Sequence, residues 1–336
     1  MNNADYVEKM EEKKKIVCLI NPLAANQRWK RRRLLRSELI KKLPGSYLDT
    51  PGNKQETIEI TREVCSEADL VVAVGGDGTV ADVLQGIFES PHRERITLGI
   101  IPFGSGNAFR KSLGIPRNPF ESIKYLLEGD QLTIDLLQIE DRIAAFSSVG
   151  STAAVTGEKI KHSVPGLVGH LLAARKLLFY KRQEKVLELH NGLDEKGEKF
   201  DYLEISSRFL DCVINKSNYF GYSWLVAPQA KLDDGYLDIV LFEMPPLVYI
   251  LLFPLIYFGW LQKRLKHFKA KEVVIKGQSL DIQYNGEYLA APDSVRVKIL
   301  PAALKVMGNR KKAARFLVET PENQDGSEQQ LKKPKL

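Results

Sequence analysis

Apolar residues recur along this chain in two rhythms, and the change from one to the other divides it. Between residues 16 and 136, short continuous apolar runs alternate with stretches of helical spacing. Residues 16–20, 70–74 and 97–101 are runs of the kind that strands buried on both faces require. Residues 28–43, 55–68, 80–88 and 119–128 predict helices around them. Such alternation predicts an α/β domain, a parallel sheet with helices on both faces. Beyond residue 137 the runs become shorter and are joined by turn signals such as Asn191-Gly192 and Asn285-Gly286. Residues 143–148, 185–190, 202–206, 211–215, 237–242, 273–276, 280–284 and 295–300 read as strands of a mainly antiparallel β domain. A helical insert is expected near 166–180.

Two breaks in the first rhythm carry chemistry. Val71, Val72, Ala73 and Val74 run straight into Gly75-Gly76-Asp77-Gly78-Thr79, and a helix is expected to open directly after. Glycines at a strand end let backbone N–H groups approach a ligand closely, and the helix N-terminus beyond adds positive potential. Both suit phosphate. Asp77 is the odd member, since its carboxylate would repel a phosphate unless Mg²⁺ or a transferable proton lay between them. It could alternatively cap the helix. A second strand end, Pro102-Phe103-Gly104-Ser105-Gly106-Asn107, repeats the pattern. Two such loops at the ends of parallel strands form one crevice, where open sheets bind ligands.

These elements together resemble the diacylglycerol kinase catalytic domain, whose superfamily includes bacterial soluble lipid kinases of the DgkB and YegS type and sphingosine kinases. Asn21-Pro22 after the first strand, Gly75–Thr79, residues 102–107, Asp135-Leu136, Asp233-Asp234-Gly235-Tyr236-Leu237-Asp238 and Asn285-Gly286-Glu287 stand in family order. The matching elements span roughly residues 14–318 of the sequence. The resemblance implies an ATP- and Mg²⁺-dependent kinase that moves the γ-phosphate to a hydroxyl of a membrane lipid: diacylglycerol, a sphingoid base or a related lipid alcohol. It implies a nucleotide-binding α/β domain over 14–136, completed by 302–318, and a β-rich acceptor domain over 137–301. Asn21, Thr50, Gly75, Gly76, Gly78, Thr79, Gly104, Ser105, Gly106 and Asn107 would lie at the nucleotide. Glu287 would be the general base, projected from a two-residue hairpin turn, with Asp77 as its catalytic partner across a cleft. Asp234 and the carbonyls of Lys231 and Tyr236 would hold a structural Mg²⁺, linked to the active site through Asp135.

The pattern departs from the family in places. Ala108 stands where many diacylglycerol kinases carry Asp, and Thr152 stands where sphingosine kinases carry one. Ala24-Ala25 replaces the usual Ser-Gly, and Asn285 replaces the usual Asp. Two rivals follow. One is an NAD kinase-like enzyme, which shares the first glycine motif. The other is a catalytically weak lipid or nucleotide sensor, suggested by the missing acids.

Composition narrows the setting. The 336 residues are 44% hydrophobic and 27% charged, as for a chain with a packed core. The polar N-terminus has no leader-like apolar run. Three widely spaced cysteines, Cys18, Cys65 and Cys212, show no disulfide or metal spacing, which suits a reducing cytoplasm. A net charge of +7 favours an anionic partner, and no nucleic-acid signature accompanies it. Residues 244–261 form a charge-free apolar stretch of 18, short of the ~20 a spanning helix needs and broken by Pro245, Pro246, Pro254 and Gly259. Lys263, Arg264, Lys266, Lys269 and Lys271 follow. A partly exposed apolar hairpin beside basic residues predicts docking on an anionic membrane surface. The basic run Arg28, Lys30, Arg31, Arg32, Arg33, Arg36, Lys41 and Lys42 reads as a solvated helix face that phosphate or a membrane could also use. Residues 319–336 read as a disordered tail. A homodimer is admitted by these features and required by none.

Overall fold

The computed structural model describes residues 14–23, 29–103, 108–162, 175–221, 224–289 and 292–318. The side chains of 29–33 and 159–162 are not described. The chain opens with the expected alternation: β1 (Ile16–Ile20), α1 (Trp29–Lys42), β2 (Ser46–Asp49), α2 (Lys54–Val64), β3 (Leu70–Gly75), α3 (Asp77–Glu89), β4 (Thr97–Pro102), α4 (Ala108–Ser112) and α5 (Pro119–Glu128). Strands run parallel in the order β2-β1-β3-β4. Every residue of β3 and β4 is buried, which explains their unbroken apolar runs. Helices begin where the sequence supplies caps. Asn53 accepts the Gln55 amide to start α2, and Asn118, followed by Pro119, starts α5. In α1, Leu35 and Leu39 turn inward with Leu43 just beyond, while Arg36 pairs with Asp49 on the outside. β2 was not foreseen; it is four residues long and largely exposed, so it carries little apolar signal.

The antiparallel part follows: β5 (Asp130–Ile139), β6 (Arg142–Ala144), β7 (Phe146–Gly150), α6 (Ser151–His162), β8 (Lys185–Leu193), β9 (Lys199–Ser207), β10 (Asp211–Asn215), a small β11–β12 hairpin (Tyr219–Phe220, Trp224–Leu225), β13 (Leu237–Phe242), α7 (Pro246–Tyr257), β14 (Lys266–Lys276), β15 (Ile282–Tyr284), β16 (Glu287–Leu289), β17 (Ser294–Gly308) and the short α8 (Arg310–Ala313). Fifteen strands of the described residues join in one sheet, β16-β15-β7-β10-β13-β14-β17-β4-β3-β1-β2, with β5, β6, β8 and β9 attached beside that path.

Continuity across the middle rests on β17. Its first residues pair antiparallel with β14, and Lys305 and Val306 pair parallel with β4. Along the way it pairs with β5, with a register shift between Leu300 and Leu304. Ala302 lies in that shift at a φ of +48°. The two sequence rhythms therefore meet inside continuous strands: the expected junctions at 136/137 and 301/302 fall within β5 and β17.

The apolar stretch at 244–261 folds differently from expectation. It is a helix, α7, rather than a hairpin, with Pro246 in its first turn and Pro254 inside it. Tyr249 and Ile256 face the interior, and Trp224 donates its indole N–H to the Ile256 carbonyl at 3.2 Å. Among the described residues no helix is long and apolar enough to cross a membrane. The expected tail at 319–336 and most of the expected insert at 166–180 lie outside the described residues.

Candidate active site

Helix α3 carries a glycine turn at its start and, further along, meets the first residue of α2 and the β15–β16 hairpin. The turn comes first. Helix α3 starts at Asp77, three residues before the sequence expectation, because its first intrahelical bond runs from the Val80 amide to the Gly76 carbonyl at 3.0 Å. The amides of Asp77, Gly78 and Thr79 thus lie in the first turn, where no preceding helical carbonyl reaches them. Gly75 must be glycine, since a Cβ there would come within 2.4 Å of Thr79 Oγ1. Thr79 is folded back over the strand end, and its hydroxyl accepts the Asn21 side-chain amide at 2.9 Å. Among the described residues nothing lies within 4 Å of where a Gly78 Cβ would point.

Asp77 is not the helix cap; Gly76 is, and it makes no side-chain cap bond. Asp77 Oδ1 instead accepts the Ala108 amide at 2.8 Å. The acid therefore joins the first glycine bend to the start of α4, beyond the second. Ala108 contributes to this contact through its backbone. Gly104, Ser105, Gly106 and Asn107 lie outside the described residues, as do Ala24 and Ala25. Thr50 is 1% exposed and directs its hydroxyl to the Ile20 carbonyl at 3.4 Å, at the joined ends of β1 and β2.

Glu287 is placed by a chain of hydrogen bonds. Asn285 and Gly286 both have positive φ, 48° and 87°, the turn an Asn-Gly pair favours. The Asn285 side chain accepts the Ala145 amide and donates to the Ile143 carbonyl, each at 3.1 Å. The Ile143 amide in turn donates to Gln85 Oε1 on α3 at 3.0 Å. This relay holds the hairpin against α3. Lys54, first residue of α2, then bridges to the hairpin: its Nζ lies 2.6 Å from Glu287 Oε2 and 3.1 Å from the Tyr284 hydroxyl. Burial alone would lower the Lys54 ammonium, but Glu287 and Tyr284 outweigh it and hold its pKa above the ordinary value.

A third charge completes the spot. Asp82, on α3 and one turn before Gln85, has its carboxyl pushed up to about 7, first by burial and then by the Glu287 charge, against the pull of Lys54. One ammonium thus serves two carboxylates. Sequence reading passed over Lys54 and Asp82. Lys54 sits before a helix in a polar stretch and carries no signature. Asp82 was visible in principle, since Asp82, Gln85 and Glu89 form a polar stripe at helical spacing on an otherwise apolar helix.

The residues expected to hold a metal gather elsewhere, around a lysine. Lys216 Nζ contacts Asp135 Oδ2 at 3.0 Å, the Tyr236 carbonyl at 2.8 Å and Asp234 Oδ1. Lys269 Nζ lies 2.6 Å from Asp234 Oδ2 and 3.1 Å from Asp238 Oδ1. Burial would raise the Asp234 carboxyl, but the two ammonium groups outweigh it and hold its pKa below the ordinary value. Lys231 points its side chain elsewhere, to the Arg315 and Leu317 carbonyls. The oxygens of Asp135, Asp234 and Tyr236 are thus already taken by a cation, and these residues do not fit a Mg²⁺ ion beside it.

A fully buried carboxylate lies in the second half. Asp211 Oδ2 accepts the Thr152 amide at 2.9 Å and the Ser151 hydroxyl at 3.3 Å, while Oδ1 has no hydrogen-bond partner among the described residues. Burial pushes its carboxyl up to about 7. An acid absent at position 152 is thus present against that residue's backbone.

Comparison with known proteins bears on the family and the fold. The family model for the diacylglycerol kinase catalytic domain matches residues 15–139. The model for the YegS C-terminal NAD kinase beta sandwich-like domain matches residues 170–308. The chain belongs to the diacylglycerol kinase catalytic-domain superfamily. A diacylglycerol kinase of Staphylococcus epidermidis is 28% identical over 236 residues, covering 69% of this chain and 71% of that one. A diacylglycerol kinase of Staphylococcus aureus is 29% identical over 243 residues, with the same two shares. Among solved structures, a diacylglycerol kinase from Bacillus anthracis superposes with a TM-score of 0.67 at 22% identity, over 88% of this chain and 97% of that one. Parallel N-terminal strands with an antiparallel C-terminal region are thus a fold shared with these kinases. In this chain the clusters at Lys54 and Lys216 are each organised around a lysine.

Proposed function

We propose that this protein is an ATP-dependent kinase that phosphorylates a hydroxyl of a membrane lipid. The observation that carries the reading is the Glu287 carboxylate, fixed by Lys54 and the hairpin relay beside the helix whose first turn holds the glycine bend. A nucleotide fits that bend: Gly78 leaves its approach open, and the first-turn amides of α3 point outward with the positive end of the helix. Bound there, ATP with Mg²⁺ would supply the phosphoryl group and neutralise its charge.

The chain's own residues do the rest. Amides of Gly76, Gly78 and Thr79 bind phosphate oxygens. Asn21 holds Thr79 in place, and Asp77 keeps the two glycine loops in fixed relation. Glu287 receives the proton of the acceptor hydroxyl, and the Lys54 ammonium holds its carboxylate in place.

The acceptor would arrive from a membrane surface. On and just after α7, Leu247, Leu251, Phe258 and Trp260 are 61%, 71%, 58% and 72% exposed. Lys263 and Arg264 are exposed directly after them. Lys266 and Lys269, expected to share this role, are paired with Glu243 and Asp234. A smaller basic rim therefore supports an apolar patch that would sink into the headgroup layer.

The test is ATP turnover on a panel of diacylglycerols, sphingoid bases and isoprenoid alcohols, with Asp77→Asn and Glu287→Gln beside the unchanged protein. A phosphorylated lipid that both variants fail to make supports the reading. Phosphorylation of NAD, or nucleotide binding with no product, would replace it with the NAD kinase or sensor alternative. For the membrane, vesicles rich in anionic lipid should pellet the protein at low salt, and Leu251→Glu with Trp260→Glu should leave it in the supernatant.

A further inference from the structure

We infer that the Lys216 ammonium takes the place of a structural divalent cation in this chain, so that the junction between the two halves of the sheet is pinned without metal. The inference stands whether or not the acceptor is a lipid. Its basis is stoichiometry. An ammonium offers three donors, and Lys216 Nζ meets three oxygens: Asp135 Oδ2, Asp234 Oδ1 and the Tyr236 carbonyl. The side chain is 1% exposed, and its own backbone amide is tied to the Ala145 carbonyl at 2.9 Å. Mg²⁺ demands close to six oxygens at roughly 2.0–2.1 Å. It could gather these oxygens only by displacing an ammonium whose side chain is 1% exposed.

The pin sits where the chain crosses from one half to the other. Asp135 belongs to β5, and its second oxygen accepts the Ala302 amide at 2.8 Å, in the register shift of β17. The Gly235 amide donates to Asp135 Oδ2 at 2.7 Å. Lys269 on β14 carries the network on to Asp238 on β13, where His267 also contacts Asp238 at 2.9 Å. Lys216 thus joins β5, the end of β10, the loop at 231–236 and the irregular point of β17. A charge held by a covalent side chain cannot dissociate, so this junction should not respond to the supply of divalent ions.

Thermal melting of the nucleotide-free full chain tests this directly. After chelation, the midpoint should be the same in EDTA and in millimolar Mg²⁺ or Ca²⁺. Lys216→Ala vacates a site lined by Asp135, Asp234 and the Tyr236 carbonyl. It should lower the midpoint by roughly 4–7 °C. Mg²⁺ or Ca²⁺ should then raise it in a concentration-dependent manner, an effect that Lys216→Ala with Asp234→Asn lacks. A midpoint of the unchanged protein that climbs with Mg²⁺, and stops climbing in Asp234→Asn, would overturn the inference. So would a folded Lys216→Ala variant that ignores divalent ions. If that variant does not fold at all, the comparison on the unchanged protein decides.

Discussion

The two acidic clusters of this molecule use the same residue types to opposite ends. Around Lys216, carboxylates Asp135, Asp234 and Asp238 meet two ammonium groups and a histidine, and Lys216 and Asp238 are wholly buried. Around Lys54, two carboxylates share one ammonium, and both Lys54 and Glu287 are about a third exposed at 32% and 38%. The first arrangement is largely buried and rich in cations; Asp234 is held below its ordinary pKa and Lys269 above it, the direction that keeps both ionised. The second has fewer cations and is more open at Lys54 and Glu287, and beside it the Asp82 carboxyl is raised, first by burial and then by the Glu287 charge. A sealed, matched cluster can do structural work only. An open, mismatched one is poised to take up a cation or a proton, as a phosphoryl-transfer site must.

The sharpest way to break this contrast is to remove one charge from each cluster and compare the damage. Lys216→Met leaves buried Asp135 and Asp234 without their shared cation and should cost about 3–5 kcal/mol of stability, read by denaturant melting. Glu287→Gln should do the reverse. The pair it breaks is exposed enough to be worth less than about 1 kcal/mol, so melting should barely move. Catalytic turnover should fall by about 10²–10⁴-fold, the usual share of a general base. Equal stability losses in the two variants would mean that both clusters are structural.

Asp82 sharpens the comparison through pH. A carboxyl whose pKa is raised on folding costs stability once it ionises. The cost is absent below the ordinary carboxylate range, grows as pH rises from about 4, and is complete above about 7. Asp82→Asn should therefore be the more stable protein at pH 8, by on the order of 2–4 kcal/mol, and should match the unchanged protein near pH 4. Asp211 titrates in the same direction, so the unchanged protein should still lose some stability over this window when Asp82 is gone. A variant with no pH-dependent gain would show that burial and the Glu287 charge do not raise the Asp82 carboxyl.

How far this contrast was legible in sequence depended on what each residue's signal was. Glycine strings, strand ends and the Asn-Gly turn are local, and they located the bend, the sheet and Glu287. The start of α3 was misplaced by three residues because glycines weaken a helical reading even where they form its first turn. Asp234 and Asp135 were marked through resemblance, yet the identity of their partner was not, because Lys216 stands 18 residues before Asp234 in a stretch with no pattern. Lys54 and Glu287 lie 233 residues apart. No periodicity connects such positions, and only the folded sheet brings them together. The stretch at 244–261 shows the converse limit: its apolar length was plain, but whether it turns as a hairpin or a helix depended on packing against Trp224 and Phe242.

The smallest expected effect concerns Asn285, where the resemblance leads one to expect Asp. Its amide uses both ends, accepting the Ala145 N–H and donating to the Ile143 carbonyl, and either residue type tolerates the turn's positive φ. Asn285→Asp keeps the acceptor and loses the donor. A carboxylate would then face the Ile143 carbonyl, in a site only 8% exposed and one hydrogen bond from Gln85 on α3. The variant should lose about 1–2 kcal/mol, the cost of leaving a buried group unpaired. Because the same relay aims Glu287, turnover should fall by a few-fold more than the stability loss explains, whereas Asn285→Ala, which removes both bonds without adding a charge, should hurt stability without the added repulsion. If Asn285→Asp instead left turnover and melting unchanged, the hairpin would be held by Lys54 and its strand pairing alone, and the open cluster would owe its geometry to the ammonium rather than to the turn.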